Sequence, residues 1–279
     1  MQFNIISNLA EPADPATFYA YNHIIAYHLK KALEQQGHGA LLVSDKETVI
    51  PQCTNTILIS NIAMNKARNN PEYYSKLRHT TSNKLCMWLD SDLGGWANIV
   101  DIIFCVNRRC KTHPETFRHV GWAADPNIFY PEQKEPVVYV DPYMHNFYNG
   151  RYSHVYDVIK EALASTQSTI IQPVTEYNHG RITWLSNAEY FRKTSFYVLT
   201  QPGYWGWTNI EAASCGALLV VHESLDKPDT WPSKLNNKVY SSKEELLTFL
   251  KEPVNIQANR EVALQNSWSK VTDKVLEAL

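Results

Sequence analysis

The residues whose types and spacing best suit chemistry run from Val198 to Leu225: Val198-Leu-Thr-Gln-Pro-Gly-Tyr-Trp-Gly-Trp-Thr-Asn-Ile-Glu-Ala-Ala-Ser-Cys-Gly-Ala-Leu-Leu-Val-Val-His-Glu-Ser-Leu225. A glycine-bearing loop, Gln201 to Thr208, feeds a short helix predicted over Asn209 to Ser214, with Thr208 as its cap. Gly216 stops that helix, and Ala217 to Val221 is all apolar, as in a parallel strand buried on both faces. A loop of this kind brings backbone N–H groups and the positive end of a helix dipole to one point, which suits phosphate. Gly206, Trp207, Thr208 and Asn209 are the candidate N–H donors. Glu211 lies about one turn into the helix, where a carboxylate accepts hydrogen bonds from a sugar diol just beyond the phosphates. Tyr204 and Trp205 offer ring faces to a sugar or base, or else anchor the loop. The plain alternative is a βαβ crossover with a solvated Glu211 that only favours the dipole.

A second set lies in the first half. Asp90 and Asp92 form Asp-x-Asp after an apolar strand, a spacing that suits a hard cation, a general base or an ordinary loop beside Gly94-Gly95. Arg108, Arg109, Lys111, His113 and His119 cluster in sequence and suit an anionic partner or a solvated face. Asp125 and Asn127 read as turn formers.

The elements that must position these groups alternate. Phe3 to Ser7, Ala40 to Val43, Thr56 to Ile62, Lys84 to Leu89, Val100 to Val106 and Arg118 to Gly121 read as strands. Phe18 to Gln36 is a helix by the spacing of Tyr21, Ile24, Ile25, Leu29 and Leu33, and Asn69 to His79 is helical in part. The stretch from Pro126 to Pro136 carries three prolines and reads as a hinge. The alternation then restarts. Val137 to Val140, Ser168 to Pro173, Phe196 to Leu199 and Lys238 to Tyr240 read as strands, and Arg181 to Leu185 as a short strand or turn. Helices are expected over His154 to Ala164, Asn187 to Lys193 with Ser186 as cap, Ser242 to Lys251, and one long final helix over Asn259 to Leu279. A chain of 279 residues is enough for two such domains.

Bulk properties narrow the class. A net charge of -2 gives no global basic field to attract nucleic acid. No run approaches a membrane span, and the N-terminus lacks the pattern of a signal peptide. Five scattered cysteines without Cys-x-x-Cys support neither a zinc site nor a disulfide framework, which points to the cytoplasm.

The stretch around Glu211 resembles the nucleotide-sugar site of GT-B glycosyltransferases of the large retaining group, whose form is a glycine loop, Glu-Ala-x-Ala-Cys-Gly and an apolar strand. Gly206, Glu211-Ala212-Ala213, Cys215-Gly216 and Leu218 to Val221 carry that likeness. The aromatic-rich loop and Gly121-Trp-Ala-Ala-Asp-Pro-Asn-Ile-Phe-Tyr-Pro131 are closest in flavour to the spore-maturation-type branch. One departure is Gly203, eight residues before Glu211, where that group usually carries a second Glu.

The resemblance implies an α/β fold of two Rossmann-like doubly wound domains facing a cleft. Residues 1–130 would form the acceptor side, with helix 259–279 packing back on it, and 131–258 would bind the nucleotide sugar. It implies that Glu211 binds the donor ribose and that Arg151 or another cation neutralises the leaving diphosphate, with Arg181 and Lys193 as further candidates. Trp184 falls where the group places residues around the base, or is a core Trp. The expected activity is transfer of a sugar from a nucleotide-diphosphate sugar to an acceptor hydroxyl, retaining and without metal or other cofactor. If the reaction inverts, Asp90 or Asp92 is the general base. The acceptor is a glycan, a small molecule or a modified base in phage DNA, the last placing the protein in host cytoplasm. Two alternatives stay open: a metal-dependent GT-A transferase using Asp90 and Asp92, and a non-catalytic nucleotide- or carbohydrate-binding protein.

Overall fold

The structure is a computed structural model that describes residues 1–9, 12–18, 21–89, 96, 98–106, 115–140, 153–166, 169–171, 183–199, 207–226 and 237–279. The chain divides into two compact units, Met1–Gly121 with Trp268–Leu279, and Trp122–Ser267.

The N-terminal unit holds six strands, β1 (Gln2–Ser7), β2 (Gly39–Ser44), β3 (Cys53–Leu58), β4 (Thr81–Leu89), β5 (Ile102–Cys105) and β6 (Phe117–His119). All pairings are parallel, in the order β2-β1-β3-β4-β5-β6. Parallel strands covered on both faces need continuous apolar runs. Ile5, Ile6, Ile57, Leu58 and Ile103 accordingly bury completely. Three helices connect them: α1 (Tyr21–Gln35), α2 (Asn61–Asn69) and α3 (Pro71–Thr80). Strand 3 stops at Leu58, and Ser60 caps α2 by accepting from the N–H of Ile62 at 3.1 Å. The expected strand through Ile62 is thereby corrected, because a serine that satisfies helical N–H groups competes with the strand ladder. Asn70 caps α3 with Pro71 at its first position, where the missing N–H costs nothing.

The C-terminal unit repeats the plan with five strands: β7 (Val137–Val140), β8 (Thr169–Ile171), β9 (Phe196–Val198), β10 (Leu218–His222) and β11 (Asn237–Tyr240). They are parallel in the order β11-β10-β9-β7-β8. The helices are α4 (Ser153–Ala164), α5 (Trp184–Lys193), α6 (Trp207–Ser214), α7 (Lys243–Phe249) and α8 (Ile256–Leu264).

Two expectations are corrected here. Residues 184 and 185 are helical: α5 begins at Trp184 under a Thr183 cap, three residues ahead of the expected Ser186. Thr183 Oγ1 accepts from the Ser186 N–H at 3.3 Å. The final helix is also two helices, α8 and α9 (Trp268–Glu277). Between them Ser267 bridges to Ala124, a tertiary pairing that opens the helix without proline or glycine. Helix 9 packs on α1, where Trp268 stacks on His28 at 5.2 Å and Asp273 accepts from Gln36 at 2.8 Å.

Cys53, Cys86 and Cys215 are buried free thiols. Cys105 is disulfide-bonded, contrary to the reading of the cysteine spacing. No helix among the described residues is long and apolar enough to cross a membrane.

Candidate functional site

In a doubly wound sheet, ligands bind beyond the carboxyl ends of the strands where the strand order reverses. In the C-terminal unit that point lies between β7 and β9. Their carboxyl ends, Val140 and Val198, lead toward residues 141–152 and 200–206, which lie outside the described residues. Helix 6 follows the second of these and leads into β10.

Helix 6 is short and almost wholly interior. Trp207, Asn209, Ile210, Glu211, Ala212, Ala213 and Ser214 are all buried. It starts two residues before the expected Asn209, so Thr208 stands inside the helix rather than capping it. The Thr208 hydroxyl instead accepts from Tyr197 Oη at 3.1 Å. Trp207, Thr208 and Asn209 form its first turn, where backbone N–H groups have no partner within the helix and the dipole is positive. Trp207 is wedged edge-on against Trp122, with ring centroids 4.8 Å apart.

The other end of α6 is tightly closed. Gly216 takes φ +78°, the left-handed conformation that glycine adopts without penalty. Its N–H donates to Ala213 O at 2.8 Å, and that of Ala217 to Ala212 O at 3.0 Å, a Schellman closure. Helix 8 completes the end: Arg260 Nη1 donates to Ser214 O and Asn259 Nδ2 to Ala217 O, both at 3.0 Å. Ser214 Oγ donates to Phe129 O at 2.6 Å.

Glu211 is the chemical centre of this arrangement. Its side chain is 2% exposed, which excludes the solvated-helix reading. Trp184 Nε1 donates to its Oε1 at 2.8 Å. Among the described residues, its Oε2 has no hydrogen-bond partner. Burial pushes the carboxyl up to about 8, against which the Trp184 hydrogen bond acts. Cys215 lies close by, its thiol pushed up to about 12 by burial and by Glu211, with Lys134, Arg192 and Arg260 opposing. A buried carboxyl with one oxygen tied and the other unengaged is an unusual thing for a core to hold. It is suited to take hydrogen bonds from a ligand.

Trp184 was not legible as the partner of Glu211. It is 4% exposed and tilts against Phe129 at 5.5 Å, so its ring faces are interior. Phe129 belongs to the stretch in which Asp125 and Asn127 read as turn formers. Asp125 Oδ1 does accept from the Asn127 N–H at 2.9 Å, and its carbonyl accepts from Phe129 N at 2.8 Å. Lys193 is exposed and 3.7 Å from Glu135. Asp90, Asp92, Arg151, Arg181, Tyr204, Trp205 and Gly206 lie outside the described residues, as do Arg108, Arg109, Lys111 and His113. His119 is described, with its Nε2 3.2 Å from Val106 O. Among the described residues, no group of three or more His, Cys, Asp or Glu is gathered to hold a metal ion.

No protein-family model matches the chain, and no curated protein matches its sequence. Solved structures do match. AviGT4, a glycosyltransferase involved in avilamycin A biosynthesis, superposes with a TM-score of 0.65 at 11% identity over 99% of this chain and 96% of its own. Sucrose-phosphate synthase from Thermosynechococcus elongatus gives 0.64 at 12% identity over 99% and 97%. An alpha-glucosyltransferase in complex with UDP and a 13-mer DNA containing a hydroxymethyluracil base gives 0.61 at 12% identity over 100% and 99%. The chain has the GT-B fold, in which each unit carries a doubly wound parallel sheet. That fold favours the main reading over the GT-A alternative built on Asp90 and Asp92.

Proposed function

We propose that the protein is a glycosyltransferase that moves a sugar from a nucleotide-diphosphate sugar to an acceptor hydroxyl. The observation that carries this reading is Glu211: buried, held on one oxygen by Trp184, and unengaged on the other within the described residues. It stands one turn into a helix that follows a strand of the switch point. The ribose hydroxyls of the donor would donate to Glu211. The diphosphate would take the N–H groups of Gly206, Trp207, Thr208 and Asn209, and Arg181 and Tyr204 would complete the donor site. The glycosyltransferases with the same fold support the reading. Several of them are bound to UDP, as is the Anabaena protein HepE with UDP and glucose.

In the reaction, the bond from the anomeric carbon to the β-phosphate oxygen breaks and the acceptor oxygen takes its place. The acceptor proton leaves to the departing phosphate. Negative charge grows on that phosphate, and Arg151, a fixed cation that forks onto phosphate oxygens, lowers the barrier. This course retains the anomeric configuration and needs no metal. If the outcome is inversion, Asp90 or Asp92 serves as the base. The N-terminal unit, Met1–Gly121 with Trp268–Leu279, takes the acceptor, and Trp122–Ser267 the donor. The acceptor is a glycan, a small molecule or a modified base in DNA. The last is supported by the fold neighbour bound to hydroxymethyluracil DNA. A cytoplasmic setting belongs to the proposal, supported by the three buried free thiols.

A thermal-shift panel of UDP, GDP, ADP, CDP and TDP tests the reading, with wild type and Glu211→Ala, in EDTA and in Mn²⁺. Saturation at a hundredfold excess over Kd stabilises by about 2.7 kcal/mol. One nucleotide should shift wild type without metal, and the shift should vanish in Glu211→Ala. No shift with any nucleotide would contradict the reading.

A further inference from the structure

We infer that Trp184 is a positioning residue for Glu211: its indole N–H fixes one carboxyl oxygen so that the other is presented to a nucleotide hydroxyl. The inference rests on the donor-site reading above and gives Trp184 a different part from a wall of the base pocket.

Three observations support it. The indole nitrogen is a donor only, so its 2.8 Å contact can be made only with an oxygen acting as acceptor. Oε1 is thereby committed as an acceptor, and any carboxyl proton sits on Oε2. The ring faces are interior, against Phe129, which is itself fully buried, so a nucleotide base has no free face of Trp184 to stack on. Finally, the elements that carry the pair are tied at their ends. Thr183 caps the start of α5, and Lys134 Nζ donates to the carbonyls of Phe191, Arg192 and Thr194 at its finish. Ser214 ties α6 to the backbone of Phe129. A side chain held this firmly before the ligand arrives leaves less freedom to be lost on binding.

The groups that face Glu211 from the packed elements are few among the described residues. Trp184 comes from α5, and Cys215 follows directly after the helix that carries Glu211. Lys134, Arg192 and Arg260 of α8 act on the neighbouring Cys215 thiol.

The test is calorimetric binding of nucleoside diphosphates to the full chain in four forms: wild type, Trp184→Phe, Glu211→Met and the double variant. Phenylalanine keeps an aromatic ring and removes the N–H. Methionine keeps most of the volume and removes both oxygens. In the wild-type background, Trp184→Phe should weaken binding about tenfold, the worth of one buried hydrogen bond. In the Glu211→Met background it should change binding less than about twofold, since nothing is left to position. The pH dependence is a second readout. Without its donor the Glu211 carboxyl rises further, so the pH at which Trp184→Phe binds half-maximally should move up. A ring that only fills space would weaken both backgrounds alike and leave the pH midpoint in place, and that result would overturn the inference. So would full-strength binding by Trp184→Phe while Glu211→Met binds poorly, which leaves the donor-site reading intact. Wild type that binds no nucleotide would overturn both. Should Trp184→Phe fail to fold, Trp184→Leu, which also lacks a donor, serves under the same expectations.

Discussion

Lys134 donates from Nζ to the carbonyl of Thr194 at 2.7 Å, and the same ammonium reaches the carbonyls of Arg192 and Phe191. A lysine from the segment before β7 thus closes the negative end of α5, whose other end begins with Trp184. Burial lowers this ammonium from 10.5 to about 8.

Lys134→Met should therefore destabilise the protein by about 1–3 kcal/mol at pH 7, the cost of removing the donor to the Thr194 carbonyl, since those of Phe191 and Arg192 keep backbone donors. The sign of the pH dependence follows from the folded value lying below the unfolded one. Below about 8 both states hold the proton and the cost of burying the charge is fully present. Between about 8 and 10.5 the unfolded chain holds more protons, so stability from this group rises with pH. Urea denaturation from pH 7 to 11 should show the gap between wild type and variant widening over that interval.

Glu211 has the opposite sign. Its carboxyl stands near 8 when folded and 4.5 when unfolded, so the folded chain holds more protons between those values. Its presence costs nothing below 4.5, and the cost grows as pH rises to about 8. Glu211→Gln should stabilise the unliganded protein by ~3 kcal/mol at pH 7, with no gain at pH 4. Melting curves at the two pH values check this. A stabilising substitution that weakens nucleotide binding is what a binding residue kept at the expense of stability looks like.

The chain's architecture was legible because it rests on local signals. Short local runs named all eleven described strands to within a few residues, β3 being the most displaced, and the Gly216 stop fixed the end of α6. Glu211 was legible for the same reason: a glycine loop, a helix start and a carboxylate lie within eleven residues of one another, from Gln201 to Glu211. What failed was long-range. The hydrogen bond from Trp184 spans 27 positions, and no periodicity records which indole meets which carboxyl. Of the short strand or turn read over Arg181 to Leu185, the described residues 183–185 are the cap and first turn of a helix. The break between α8 and α9 comes from pairing of Ser267 with Ala124, far away in sequence. Helix 2 was missed although Ser60 marked its start, because its sequence, Asn-Ile-Ala-Met-Asn-Lys-Ala-Arg-Asn, buries only Ala63, Met64 and Ala67.

Gly216 gives a sharper test of how α6 is held. A Cβ there would lie 2.5 Å from Ile256 Cγ2 and 2.8 Å from the Ile256 carbonyl oxygen, at φ +78°. Gly37 has a similar φ of +81° with nothing within 4 Å. Gly37→Ala should cost about 1–2 kcal/mol, the left-handed penalty alone. Gly216→Ala should cost about 2–4 kcal/mol, because α8 must also give way. Chemical denaturation of the two variants measures the difference.

The central claim is that Glu211 stands in a working nucleotide-sugar site. Its most direct measurement is release of nucleoside diphosphate from a panel of UDP-, GDP-, ADP-, CDP- and TDP-sugars. The reactions would contain EDTA and, in separate arms, oligosaccharides and hydroxymethylated DNA as acceptors. The account predicts that wild type consumes one donor class in the presence of one acceptor, that EDTA does not stop it, and that Glu211→Ala falls by at least about tenfold. Full activity in Glu211→Ala, or no release from any donor by a wild type that binds nucleotide tightly, would contradict it.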